Sequence, residues 1–157
     1  MQKLKLLKHA PGAPGLRLFG LGPNCLPSQG LSQLRELLNN HAFWARNRNY
    51  KNLRKLLHGS TVVVTLWQNQ RLVGFGRATS DQIYRAVLWD IVVADDLQGK
   101  GLGRLVIEAL VASPEIKEVE RVYLMTTNSS NFYKQLGFQD CNQQQLLIKA
   151  KDFWNKK

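Results

Sequence analysis

The chain has 157 residues, 44% of them hydrophobic, with a formal net charge of +11 and two cysteines. That length builds one good core and is short for two, and no apolar run approaches the ~20 residues of a membrane-spanning helix. Cys25 and Cys141 have neither metal-ligand spacing nor a disulfide framework; they are expected to be buried or incidental thiols of a protein from a reducing cytosol.

The first nine residues are basic but lack the apolar segment and cleavage site of a signal peptide, and they are too short and serine-poor for a transit peptide. They read as a loose or edge segment, followed by a stiff, irregular linker over residues 10–15 (APGAPG). Residues 16–21 are a short apolar strand candidate. A helix is predicted over 28–39, with Leu31, Leu34, Leu37 and Leu38 on one face. A second helix is predicted over 47–57, with Tyr50, Leu53, Leu56 and Leu57 inward and Gly59 as its stop. Residues 61–67 and 71–78 read as a β-hairpin, and Gly74 and Gly76 in its second strand suggest a bulge or a close backbone approach. Residues 87–93 are almost unbroken apolar (Val87, Leu88, Trp89, Ile91, Val92, Val93), as in a strand covered on both faces. Leu102, Leu105, Val106, Ala109 and Leu110 then form a helical stripe, ended by Pro114. A strand over 121–126, a short helix at Tyr133 and a last strand near 144–148 complete the order β-α-α-β-β-β-α-β-α-β.

The turn between strand 87–93 and its helix carries the most chemistry. Gly99, Gly101 and Gly103 let the backbone approach a ligand, and the unpaired N–H groups of the new helix face it with the positive end of the dipole behind them. This is a pattern for a diphosphate. A P-loop needs lysine followed by Ser or Thr, which the chain lacks, and a dinucleotide fingerprint counted from Gly99 ends on Arg104. What remains is Gln98-x-x-Gly101-x-Gly103, which resembles the [Q/R]-x-x-G-x-[G/A] signature of the GNAT superfamily of acetyl-CoA-dependent N-acetyltransferases. A structural βα turn without a ligand is the plain alternative for those six residues. Further on, Asn128, Phe132, Tyr133, Leu136, Gly137 and Phe138 stand as in the family's short helix ending in F-Y-x-x-x-G-F, and residues 122–125 supply the strand between. The resemblance covers roughly residues 60–140. The wording around Trp89 and Asp90 is most similar to the cyanobacterial and plastid-type branch, which includes serotonin and protein N-acetyltransferases.

The resemblance implies an α/β (α+β) GNAT fold, a mixed twisted sheet with helices on both faces. It implies one domain over 1–157 with its cofactor signature in 87–138, acetyl-CoA as co-substrate, and no metal. It places the backbone of Ile91, Val92 and Val93 along the pantetheine arm like another strand, with one of those N–H groups polarising the thioester carbonyl. Gln98, Gly99, Lys100, Gly101, Leu102, Gly103 and Arg104 would hold the diphosphate, Lys100 and Arg104 adding charge. Tyr133, a phenol of pKa about 10, would protonate the departing thiolate; packing against Phe132 and Leu136 is the alternative role. Asp90, the only carboxylate of the signature strand, is the candidate catalytic base, acting through water. Strict alternation sets it opposite Val87, Trp89 and Ile91, away from the face where relatives carry their base, so a structural role is expected and a backbone or water relay would deprotonate the amine. His41 and His58 are further titratable candidates. Asn128 would cap the Tyr133 helix, contact the cofactor, or both, although its spacing to Tyr133 is shorter than in many relatives.

Charge is unevenly distributed. Residues 1–80 hold 12 Lys/Arg against a single acid, Glu36, whereas residues 81–157 hold ten of each sign. The densest part is Arg46, Arg48, Lys51, Arg54 and Lys55, interleaved with Phe43, Trp44 and Tyr50. A solvated helical face accounts for it; the rival function is a binding module that docks on RNA, a ribosome or another acidic partner. The acceptor stays open between an arylalkylamine such as serotonin, which Trp89 would pack, and a protein N-terminus or lysine, which the basic half suits. A homodimer is compatible with this reading. The expected location is the cytoplasm, or the plastid in a eukaryote.

Overall fold

Five strands form one mixed sheet in the computed structural model, which describes residues 2–151. They are β1 (Leu4–Lys8), β2 (Val62–Gln68), β3 (Arg71–Ser80), β4 (Arg85–Val93) and β5 (Arg121–Tyr123), adjacent in that order. The first three pairings are antiparallel and β4–β5 is parallel. The chain divides into two compact units, Met1–Met125 and Thr126–Lys157.

In the first unit the opening residues are an edge strand, β1, registered from Leu4 opposite Gln68 to Lys8 opposite Val64. Residues 16–21, expected as a strand, instead belong largely to helix α1 (Pro14–Phe19). Pro14 occupies its first turn, where a missing N–H removes no bond. Gly20 closes it in the left-handed region (φ 61°), its N–H donating to the Gly15 and Leu16 carbonyls. The predicted leucine stripe of helix α2 (Gly30–His41) is buried at Leu31, Leu34, Leu37 and Leu38. Helix α3 (Tyr50–His58) begins at Asn49, whose side chain accepts from the Asn52 N–H. It buries Leu53 and Leu57 but leaves Tyr50 exposed, under the Arg35 guanidinium.

Helix α4 (Leu102–Val111) covers one face of the sheet. A Cβ at Gly76 would lie 2.7 Å from Val106 Cγ1 and 2.8 Å from Ile91 Cδ1, and a Cβ at Gly74 would lie 3.1 Å from Leu66 Cβ. Gly76 therefore admits the close approach that its place in the strand suggested, with Val106 and Leu110 of α4 upon it, whereas the tight neighbour of Gly74 is Leu66 of β2. Segment α1–α3 lies on the other face, where Gln33 of α2 accepts from the Leu72 N–H and Arg77 of β3 reaches the Ser60 hydroxyl.

The second unit contains helix α5 (Ser130–Lys134). The strand expected near 144–148 is not formed. None of the five strands takes these residues into its register, and Leu146, Leu147 and Ile148 are exposed. An apolar triplet holds as a strand only when paired in a ladder, and among the described residues none pairs with it.

Candidate active site

The site begins with a defect in β4. Phe75 pairs with Val92 and Arg77 with Trp89, so Gly76 alone stands opposite Asp90 and Ile91. Asp90 adopts φ 54°, the two-against-one arrangement of a β-bulge. This overturns the strict alternation expected of the strand. The Asp90 carboxylate lies on the Trp89 face, where Arg77 reaches both residues, and Ile91 turns toward α4.

Beyond the bulge, β4 loses its outer neighbour. β5 pairs only with Arg85, Ala86 and Val87, so from Leu88 to Val93 the outer edge has no strand partner among the described residues. Ile91, Val92 and Val93, the predicted pantetheine contacts, all stand on this edge. Apart from the Val93 carbonyl, which accepts from Gln98, its outward backbone groups are presented as for an incoming strand.

The edge runs directly into the glycine turn. A 3₁₀ turn, Asp95–Leu97, leads to Gln98, whose Nε2 donates to the Val93 carbonyl (3.2 Å) and to Asp95 Oδ1 (2.9 Å). Gly99 and Gly101 both have positive φ, 76° and 79°, and a Cβ at either would meet nothing within 4 Å. Gly101 is the N-cap of α4 and supplies no side-chain cap, leaving the first N–H groups at Leu102, Gly103 and Arg104 without an intrahelical partner. Leu102 is buried beneath the turn, and Lys100 is exposed. Arg104 pairs with Glu108 along the helix (2.6 Å). His41, from the end of α2, accepts from the Asp95 N–H through Nδ1 (3.2 Å), with an Asp95 carboxylate oxygen 3.1 Å away. Arg71 forks onto Asp96, both bonds 2.8 Å, and this contact holds the Asp96 carboxyl down to about 2. A polar cleft of about 210 Å³ lies beside these residues, lined by Gln33, Glu36, Asn40, His41 and Arg71 among others. His58 sits exposed at the end of α3, apart from the turn.

Asp90 is enclosed, its side chain 5% exposed. Arg77 Nε donates to Oδ2 at 2.9 Å and Trp44 Nε1 donates to Oδ1 at 3.3 Å. Arg48 Nη1 lies 3.0 Å from Oδ2, a charge contact without an aligned hydrogen bond. Burial pushes this carboxyl up, but Arg48 and Arg77 together outweigh it and hold the group below the usual carboxylate range. Trp89 donates to the Thr79 hydroxyl (2.8 Å), and the Arg77 guanidinium covers its ring at 5.8 Å. The sequence singled out Arg48 and Trp44 only as parts of the basic segment, and Arg77 not at all; none was recognised as a partner of Asp90. The available signal was an aspartate inside an apolar strand, with an arginine in the strand before it.

In the second unit, Tyr133 lies on α5. Its ring packs edge-on against Phe132 (5.1 Å) and Phe138 (5.9 Å), and burial pushes the phenol up from its ordinary value. Asn128 precedes the helix, but the N-cap is Ser129, whose hydroxyl donates to Asn128 Oδ1 (3.2 Å); no side-chain cap forms. Cys25 and Cys141 are free and exposed rather than buried. Among the described residues, no three His, Cys, Asp or Glu gather as a metal site, and no helix is long and apolar enough to cross a membrane.

The glycine-motif residues thus stand in a turn at the end of a strand whose outer neighbour pairs with only its first three residues. The profile of the acetyltransferase (GNAT) family matches residues 31–138, more than half of the chain. The chain belongs to the GNAT family. Among its GNAT relatives, an N-acetyltransferase ycf52 of Pyropia yezoensis is 38% identical over 100 residues, 60% of this chain and 57% of that protein. The chloroplastic serotonin N-acetyltransferase 2 of Oryza sativa subsp. japonica is 39% identical over 99 residues, 58% of this chain and 48% of that enzyme. A ycf52-like N-acetyltransferase of Prochlorococcus marinus is 33% identical over 113 residues, 69% of this chain and 62% of its own length. The GNAT chain thus spans about half to three-fifths of these relatives, which agree with the cyanobacterial and plastid-type branch. A GNAT-family structure from Xanthomonas campestris superposes with a TM-score of 0.71 at 20% identity, over 96% of this chain and 94% of that one. This likeness establishes the same fold.

Proposed function

We propose that this GNAT protein transfers the acetyl group of acetyl-CoA to a primary amine. The observation that carries the proposal is the open β4 edge from Leu88 to Val93, continuous with the uncapped N-terminus of α4. An extended arm ending in a diphosphate fits those two features together: the arm takes the strand-like edge, and the phosphates take the helix N–H groups. Open space at the Gly99 and Gly101 Cβ positions admits the phosphates to the backbone. When bound, acetyl-CoA supplies the activated acetyl thioester. The chain's own part is to hold it through Ile91, Val92 and Val93 and through the turn from Gln98 to Arg104. An N–H of the β4 edge polarises the reacting carbonyl, and Tyr133 gives a proton to the leaving sulfur. The raised phenol keeps its proton at neutral pH, as that role requires. Asp90 is ionised but engaged by two arginines, which suits holding the bulge rather than taking the amine's proton.

Both acceptor classes occur among relatives, as in the rice serotonin N-acetyltransferase and the Glycine max protein named histone acetyltransferase TAP1, 36% identical over 73 residues. Trp89 is already bonded to Thr79 and covered by Arg77, which leaves its ring less free to stack on an aromatic amine. The test of the cofactor site is thermal. Acetyl-CoA at 100 times its dissociation constant adds ~2.7 kcal/mol to the native state, and Gly101→Glu, which puts a carboxylate against the diphosphate, abolishes the rise in Tm. Saturating acetyl-CoA without any thermal shift refutes the site. Thiol release over a panel of amines then ranks the acceptors.

A further inference from the structure

We infer that the outer face of α3 is a docking surface for an acidic polypeptide segment, so that the amine acceptor is a protein or peptide carrying carboxylates near the acetylated amine. This rests on the acetyl-transfer reading and names its substrate class. Leu53 and Leu57 turn α3 inward, and Lys51, Arg54, Lys55 and His58 fall at the i, i+3, i+4 and i+7 positions of the opposite face. All four are exposed, and Arg46 is exposed just before the helix. The other arginines of this half are engaged: Arg48 and Arg77 with Asp90, Arg71 with Asp96, Arg17 with the Gly12 carbonyl and Arg35 with the Arg48 carbonyl. Arg46, Lys51, Arg54 and Lys55 have no carboxylate within ion-pair distance among the described residues.

The excess charge of residues 1–80 thus divides: Arg48, Arg71 and Arg77 pair with carboxylates, Lys3, Lys5 and Lys8 lie along the β1 edge, and a compact block on and beside α3 faces solvent. That block connects to the bulge through the segment 42–49, where Trp44 donates to Asp90 while Phe43 and Trp44 are 56% and 49% exposed, packed edge to face. Exposed aromatic anchors beside unpaired cations are the composition of a protein-binding patch. Lys51 to His58 spans about 10 Å of helix, the reach of about three extended residues. That suits a short acidic stretch of chain, and a helix face about 10 Å long and about 10 Å wide, on the order of 100 Å², is small beside the roughly 600–1,000 Å² that even a single nucleic-acid-binding module buries.

The test uses the whole protein and three fluorescent probes: an amine-blocked, lysine-free peptide of alternating Glu and Gly, its Gln counterpart, and a single-stranded RNA of similar length. In low salt the Glu peptide should bind at least about tenfold tighter than the Gln peptide, and the triple variant Lys51→Glu/Arg54→Glu/Lys55→Glu should remove that difference. In turnover, peptides with an amine followed by Glu should show a correspondingly higher kcat/KM than those with Gln, lost in the same variant. Equal binding of the Glu and Gln peptides overturns the proposal, as does a difference that survives the triple substitution. So does RNA binding that is tighter than Glu-peptide binding and lost in the variant. The acetyl-CoA-induced rise in Tm is read on both proteins. Its absence in both refutes acetyl transfer while leaving the peptide arm to be judged on its own, since the probes carry no acceptor amine.

Discussion

Replacing Asp90 with asparagine removes one negative charge from between two arginines and little else, because asparagine tolerates φ 54° as aspartate does. The Asp90 side chain is 5% exposed, and those of Arg77 and Arg48 are 14% and 28% exposed. Unpairing a fully buried charge costs ~3–5 kcal/mol, and surface pairs are worth ~0–1 kcal/mol. This cluster stands nearer the buried limit, and asparagine still accepts one N–H bond, so the expected loss is about 2–3 kcal/mol. In a chain of this size that lowers Tm by roughly 4–12 °C. The pH dependence follows from the direction of the shift: Asp90 is held below its ordinary value by Arg48 and Arg77, against the upward push of burial. A depressed carboxylate contributes stability that is present above its unfolded pKa of about 3.9 and lost as pH falls through the folded one. Scanning calorimetry should therefore show a constant gap between the native protein and Asp90→Asn from neutral pH down to about pH 5, closing below about pH 4. A variant whose Tm stays within about 1 °C at neutral pH, or a gap that persists undiminished in strong acid, refutes the assignment of Asp90 as a lock on the bulge.

Tyr133→Phe keeps the ring between Phe132 and Phe138 and removes only the hydroxyl. Its kcat should fall ~10²–10⁴-fold with the acetyl-CoA thermal shift intact, and a near-native kcat would leave the tyrosine a packing role. Gly76→Ala forces a methyl against Val106 and Ile91 and should cost about 1–3 kcal/mol by overpacking, read as a lower denaturation midpoint; an unchanged midpoint would mean that α4 moves away freely. His9 is bonded at Nε2 to the Thr65 hydroxyl, which also accepts from the Trp67 indole, and burial lowers its pKa to about 4. Stability present above about pH 6.5, the unfolded value, should be lost as pH falls toward 4, by at most about 3 kcal/mol. His9→Gln should flatten the Tm–pH profile over that interval, and an identical slope would remove His9 from the acid response.

The parts of this fold that the sequence displayed are those where one periodicity dominates over a full element. The leucine stripe of α2, the apolar run of β4 and the Leu102–Leu110 stripe each leave a single way to bury their surface, and the turn at Gln98–Gly103 sits between two of them. Helix α1 was hidden because six residues hold too few turns to show a period. Its evidence lay at the ends, in Pro14 and Gly20, rather than in the apolar residues between. The bulge at Asp90 was illegible for a different reason. Alternation assumes an unbroken ladder, and a single left-handed residue reverses the face of everything near it. Leu146, Leu147 and Ile148 misled in the opposite direction, since β-type residues make a strand only where a neighbour accepts their hydrogen bonds.

Gln98 opens the glycine motif, yet its amide is turned back on the protein, donating to the Val93 carbonyl and to Asp95 Oδ1. What the first position supplies is a pair of N–H donors that fasten the last residue of β4 to the turn. Arginine provides the same two donors from its fork, whereas glutamate would set a carboxylate against a carbonyl and an aspartate. In this chain the first position of the signature acts through hydrogen-bond polarity inside the loop. Gln98→Arg should keep the native Tm, whereas Gln98→Glu should lower it by setting a carboxylate against the Val93 carbonyl and Asp95; an unchanged Tm in the Glu variant would refute this role of the amide.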